Sequence, residues 1–262
     1  MADYLDLNGV HTWYDERGTG DPLVLLHGGL SDSRDFDGNL AALADRFRLL
    51  LPERRGHGHT PDVPGPLPVQ VLADDTAAFI EKVADGPVRV CGYSAGAVVA
   101  LWLAVRRPDL VDRLVLVSGG FDPAGMVLRP SADGPPPPPL VAAYAEVSPD
   151  GAEHWDVVVR KSAELHRTEP SISLEELRAV TVPVLLLSGD DDEVRFEHLL
   201  ELYETLPDGE LAIVPRSTHA LIVEKPDLVA RLVRDFHAEP RRNGFAPIRR
   251  ADRPDTDTPG GG

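Results

Sequence analysis

A chain of 262 residues is large for one small domain and short for two full ones, which points to a single α/β domain carrying an insertion. Its 43 acidic and 26 basic side chains leave a formal charge of −17, a surface that repels nucleic-acid phosphates and anionic lipid and argues against both as partners. The single cysteine, Cys91, rules out an intrachain disulfide, and neither a signal-peptide pattern nor an apolar run near the roughly 20 residues of a membrane span is present, so a soluble, cytoplasmic protein is expected.

The chain opens with a hairpin pattern, Tyr4–Leu7 and Val10–Glu16, joined by the two-residue turn Asn8-Gly9. Runs nearly continuous in Val, Leu and Ile follow at Pro22–Leu26, Phe47–Glu53, Val88–Gly92, Arg113–Ser118, Val182–Ser188 and Leu211–Val214. Strands covered on both faces of a parallel sheet have this character. Between them, apolar spacing near 3.6 predicts helices over Leu40–Arg46, Val69–Ala84, Ala95–Arg106, Phe196–Leu206 and Pro226–His237. The alternation predicts a doubly wound, mostly parallel α/β sheet of about eight strands.

Two regions depart from it. Residues 121–180 hold no strand pattern, only the proline run Pro135–Pro139, read as an extended connector, and helical segments near Leu140–Val147, Glu153–His166 and Leu174–Ala179. They read as a small helical lid inserted after the sixth strand, between core segments 1–120 and 181–237. Met126, Leu128, Tyr144 and Trp155 within it make a partly apolar pocket the expectation. Residues 238–262, rich in Arg, Pro, Asp and Gly, read as a disordered tail.

The strongest chemical signal is Gly92-Tyr93-Ser94-Ala95-Gly96, between a strand and a helix. A turn this sharp needs small flanking residues, exposes the serine hydroxyl, and points a helix N-terminus at the reacting centre. A serine needs a base to become a nucleophile, and His219, just after the last strand, is the best placed. A carboxylate must then orient the imidazole, and on composition any of Asp190, Asp191 and Asp192 could serve. Two backbone N–H groups must hold the oxyanion: Ala95, and from the loop His27-Gly28-Gly29-Leu30, Leu30 with Gly29 as alternative. His57 and His59 lack a third ligand at credible spacing, so they read as a structural loop and no metal site is expected. Cys91 reads as a small buried core residue.

Taken together these motifs resemble the α/β-hydrolase superfamily over nearly the whole chain to about His237. His27-Gly28-Gly29 is similar to its oxyanion loop, and Arg55-Gly56-His57-Gly58 to its loop after strand four, with Glu53 where an aspartate is common. Gly189-Asp190-Asp191-Asp192 resembles its Gly-x-x-Asp, which selects Asp192 as the acid; Asp122, after the preceding strand, is the rival. His219 with Glu224-Lys225-Pro226 resembles its His followed by Glu-x-Pro, although Thr218 stands where glycine often precedes the histidine. The resemblance implies eight strands, a helical cap and no cofactor, but not one substrate.

The leading reading is a serine hydrolase that cleaves a carboxylic ester or lactone of a small, partly apolar molecule through an acyl-enzyme on Ser94. A carbon–carbon bond hydrolase or perhydrolase with the same triad is the second reading, and a small-molecule receptor with a slow or vestigial site the third.

Overall fold

The computed structural model describes residues 2–127 and 138–238. Strand β1 (Asp3–Leu7) pairs with β2 (Val10–Arg17) across the turn at Asn8 and Gly9, whose φ angles of 47° and 80° define the mirror-image geometry suited to a two-residue hairpin. The other strands are β3 (Asp21–Leu26), β4 (Phe47–Pro52), β5 (Val88–Tyr93), β6 (Val111–Val117), β7 (Val184–Asp191) and β8 (Gly209–Thr218). They form one eight-stranded sheet in the order β1-β2-β4-β3-β5-β6-β7-β8, antiparallel only at the β1–β2 and β2–β4 pairs. The chain steps outward from β3 to β4, then crosses back to lay β5 on the other side of β3. This reversal of winding leaves a crevice at the carboxyl ends of β3 and β5, where ligands of open α/β sheets bind.

The helices are α1 (Val69–Val83), α2 (Ala95–Arg106), α3 (Pro138–Val147), α4 (Trp155–Thr168), α5 (Leu174–Arg178), α6 (Phe196–Thr205), α7 (Leu221–Glu224) and α8 (Pro226–Ala238). Side chains alternate across the sheet, so the strands from β3 onward feed two cores. Val24, Leu26, Val90 and Leu116 pack under α1, α2 and α6 on one face. Leu23, Leu25, Cys91 and Val115 pack under α7 and α8 on the other.

Residues between β6 and β7 contribute α3, α4 and α5. Tyr144, Trp155 and Val158 form a small buried cluster, with Leu30 and Leu140 packed against it. Arg34 ties this cluster to the sheet by donating to Glu146 (2.8 Å) and the Ala143 carbonyl (2.6 Å), and Asp62 receives His154 Nε2 at 2.9 Å. Leu177 and Val180, by contrast, belong to the main core.

Four local differences from the sequence reading have physical reasons. Residues 40–46 form only the 3₁₀ turn Ala41–Asp45, because the segment is too short to nucleate an α-helix and a three-residue repeat puts the buried Leu40 and Leu43 on one side. Pro138 and Pro139 begin α3, at positions where a missing N–H costs nothing; Pro135–Pro137, Leu128 and the tail from residue 239 lie outside the described residues. Strand β8 runs on to Thr218, so His219 follows the strand directly. Trp155 is 3% exposed within its own cluster and does not border the main cavity.

Truncating a buried aromatic in so small a cluster removes most of its packing. Trp155→Ala is expected to cost about 3 kcal/mol, seen as a lower urea midpoint with amide exchange rising first in α3 and α4. An unchanged midpoint would show that the cluster contributes nothing to stability.

Candidate active site

Ser94 stands between β5 and α2 with φ 53° and ψ −120°, a region that L-residues rarely occupy. The surroundings leave no alternative. A Cβ on Gly92 would lie 2.3 Å from the Gly96 carbonyl oxygen, and one on Gly96 would lie 2.1 Å from that of Leu26. The Ser94 N–H donates to the Val117 carbonyl at 2.8 Å, fastening the turn to β6.

Ser94 Oγ lies 2.8 Å from His219 Nε2, and His219 Nδ1 lies 2.8 Å from Asp192 Oδ1. The ionised carboxylate can only accept, so Nδ1 carries the proton and Nε2 is free to receive the serine's. Asp192 also accepts from Ser118 Oγ (2.6 Å), Ser188 Oγ (3.0 Å) and the Gly189 N–H (3.2 Å). Burial opposes its charge, but the hydrogen bonds of His219 and Ser118 prevail and hold its pKa at about 2. For His219, burial disfavours the imidazolium, yet the hydrogen bond and charge of Asp192, with Glu193 beyond, lift its pKa above the ordinary histidine value.

Two loops bring these groups together. A register irregularity between Gly189 and Asp191 turns the chain after β7, so that Asp192 faces back. Asp190 accepts from the Ser217 N–H at 3.0 Å and joins this loop to the next, while Asp191 is exposed at the strand end. On the histidine side, Glu224 receives the Thr218 N–H (2.7 Å) and hydroxyl (3.0 Å), and Tyr93 donates to the His219 carbonyl (3.1 Å). Thr218 thus brings a hydroxyl that the glycine of the common pattern would lack. Asp122 borders the cavity but does not bond His219: it accepts from the Ala124 N–H (2.7 Å) and Ser171 Oγ (2.6 Å).

Gly29, Leu30 and Ala95 border the same cavity as Ser94 and His219, a space of about 290 Å³. Leu30 adopts φ 58°, and Asp35 fixes its loop by accepting from the Gly28 N–H (2.8 Å) and Ser31 Oγ (2.6 Å). Ala95 opens α2, where an N–H has no partner within the helix. Beneath this loop, His27 accepts the Arg54 N–H at Nε2 (3.2 Å) and donates from Nδ1 to the Gly28 carbonyl (2.9 Å).

The neighbouring histidines are structural. Glu53, fully buried, accepts from Ser33 Oγ (2.8 Å) and from the His59 N–H (2.6 Å) and Nδ1 (3.0 Å). The longer acid fits because Gly58 has no Cβ, which would lie 2.1 Å from Glu53 Oε2. His57 bonds the Arg55 carbonyl, and among the described residues no group of His, Cys, Asp and Glu could hold a metal. Met126 and Leu140 line the cavity; Tyr144, like Trp155, does not.

Sequence reasoning missed Ser118, Asp35 and the α4 residues Ser162, His166 and Glu169, all of which line the cavity. Ser118 had a signal, as a small polar residue at the carboxyl end of the strand beside β5. The others had none: Ser162, His166 and Glu169 depend on how the helical segment docks, and Asp35 on the path of the loop after β3.

The alpha/beta hydrolase family model matches residues 23–232, and the chain belongs to that family. It is 29% identical over 258 residues to a Mycobacterium tuberculosis protein provisionally named non-heme bromoperoxidase BpoC, covering 87% of this chain and 98% of that one. It is 27% identical over 242 residues to the pimeloyl-[acyl-carrier protein] methyl ester esterase of Nitrosomonas europaea, covering 80% and 93%. The enol-lactonase of Burkholderia xenovorans LB400 superposes with a TM-score of 0.74 at 23% identity over 90% of this chain and 100% of that one. Among the described residues no helix is long and apolar enough to cross a membrane.

Because Asp192 sustains the imidazolium against burial, NMR titration of His219 should give a midpoint above about 6.5. Asp192→Asn should move it below that value, since burial then opposes only the more distant charge of Glu193. A midpoint indifferent to the substitution would mean that the two side chains are not coupled.

Proposed function

We propose that the protein hydrolyses a carboxylic ester or lactone of a small, partly apolar molecule through an acyl-enzyme on Ser94. The observation that carries this reading is the unbroken hydrogen-bonded chain from Ser94 Oγ through His219 to Asp192, with Ser94 held on a strained turn at the cavity. Ser94 attacks the carbonyl carbon as His219 Nε2 takes its proton. The N–H groups of Ala95 and Leu30, or Gly29 in place of Leu30, receive the oxyanion, aided by the N-terminus of α2. His219 then protonates the leaving group. Water, activated by the same imidazole, releases the acyl group and restores the serine. Asp192 keeps the proton on Nδ1 and supports the cation that forms at each step. In this reading the α3–α4 segment is the lid, and no metal or organic cofactor is required.

A fluorophosphonate should label Ser94 stoichiometrically, and Ser94→Ala should abolish labelling and lower kcat by a factor on the order of 10³ or more. Labelling that persists at another residue in that variant would remove Ser94 from the mechanism. Asp192→Asn should cost up to ~10⁴ in kcat, whereas Asn at 190, 191 or 122 should stay within about tenfold of the wild type. An inactive Asp122→Asn beside an active Asp192→Asn would reassign the acid.

The same reading fixes a pH profile. His219 must be neutral to act as base, and its imidazolium is favoured in place. Activity on an aryl ester should therefore be full at high pH and fall with acid through a midpoint above about 6.5. A profile flat down to about pH 4 would exclude His219 as the base.

A further inference from the structure

The wall of the cavity opposite the sheet carries an acid that the proposed reaction does not use. Glu169 caps the carboxyl end of α4, its side chain is only 5% exposed, and it lines the cavity that contains Ser94. No hydrogen bond reaches its carboxyl group among the described residues. The nearest polar partner, His166 Nδ1, is 3.9 Å away, beyond hydrogen-bonding distance. Burial and then the charge of Arg54 hold that imidazole neutral, with a pKa near 4.

Three features of this spot each call for positive charge. Glu169 is a buried carboxyl group without a donor, and such a group costs free energy until one arrives. It sits where the α4 macrodipole presents its negative end, which favours cations and opposes carboxylates. Asp122 borders the same cavity, and its charge, adding to burial, pushes the Glu169 pKa up to about 7. Asp35 and Glu193 also line the cavity, and no lysine or arginine does among the described residues. Arg54 lies behind it, against a narrow inner chamber of about 20 Å³, with its Nη2 donating to the Gly28 carbonyl. A cation therefore has its place on the side of Glu169 that faces the cavity.

We propose that Glu169, with Asp122 beside it, is the specificity-determining end of this cavity and selects substrates bearing an ammonium group and no carboxylate. The proposal rests on the reading of Ser94 as nucleophile for the word substrate, but the binding preference itself does not need Ser94 to react. A bound ammonium would lower the Glu169 pKa, so that the carboxyl group loses its proton to solvent and a charge pair replaces the protonated acid.

Three ligands of one shape test it: choline, its neutral isostere 3,3-dimethylbutan-1-ol, and the anion 3,3-dimethylbutanoate. NMR titration of the wild-type protein should give affinity for choline at least tenfold above the neutral alcohol and for the anion below it, with shifts mapping to α4 and residues 120–126. Glu169→Gln, nearly isosteric, should narrow the choline-to-alcohol ratio to near one, and Asp122→Asn should reduce it by at least half. The acetates of choline and of 3,3-dimethylbutan-1-ol, compared as kcat/KM, should be hydrolysed in the same order as the two alcohols bind. Equal affinities, a preference for the anion, or a choline preference that survives Glu169→Gln would each overturn the proposal. Because affinity is read without turnover, failure of Ser94 to take a fluorophosphonate is a separate result and bears on the nucleophile alone.

Discussion

The architecture depends on one close approach, that of Gly96 to the carbonyl of Leu26. It brings the first turn of α2 against the end of β3, which forces Ser94 into its positive φ and leaves no room for a side chain at either flanking glycine. Strain of this kind costs on the order of 1–3 kcal/mol and persists only where the surroundings over-determine it. Here β5 is pinned between β3 and β6, and α2 is anchored through the buried Val99, Ala100, Leu101 and Leu103. The apolar burial that stabilises the two faces of the sheet is thus also what presents the serine hydroxyl.

Two carboxylates at this site show how far environment sets behaviour. Asp192 and Glu169 are both largely withdrawn from water. Asp192 is met by His219, Ser118, Ser188 and the Gly189 N–H, and remains ionised to a pKa of about 2. Glu169 is met by no donor among the described residues, feels the charge of Asp122 on top of burial, and is driven to about 7. Opposite displacements of like groups, one behind His219 and one on the cavity wall, are what separates an always-charged partner from one whose charge depends on what binds.

What was legible in the sequence follows the range of the forces involved. Buried parallel strands read as continuous apolar runs, and each of the six runs became a strand to within a few residues. The Gly-x-Ser-x-Gly turn was legible because its residue types fall in five consecutive positions, although the carbonyl that Gly96 must clear belongs to Leu26 on β3. His219 and Asp192 are different: they meet Ser94 from loops far along the chain, His219 being 125 residues away. Composition could not choose among Asp190, Asp191 and Asp192; the register irregularity after β7 decides which of them turns back, and only the resemblance pointed to it. The 3₁₀ turn at Ala41–Asp45 and the inward packing of Trp155 depend on neighbours that no local pattern encodes. Glu169 carries no motif at all, since its setting is made by the docking of α4.

The excursion between β6 and β7 closes on itself. The Ile172 N–H donates to the Phe121 carbonyl at 2.9 Å, and both side chains are buried in the main core. Departure and return are therefore fastened side by side, and the length of chain between them adds only a slowly growing loop entropy. Gly125 and Val127 bond Arg195 and Glu193 beside Asp192, so the part of the segment beyond them is the part that can be lengthened, shortened or exchanged without moving β6, β7 or the Asp192 loop. Such a junction lets descendants of one scaffold diverge in what they admit while the reacting groups stay where they are, and chimeras spliced after Val127 and at Ile172 would inherit selectivity from one parent and chemistry from the other.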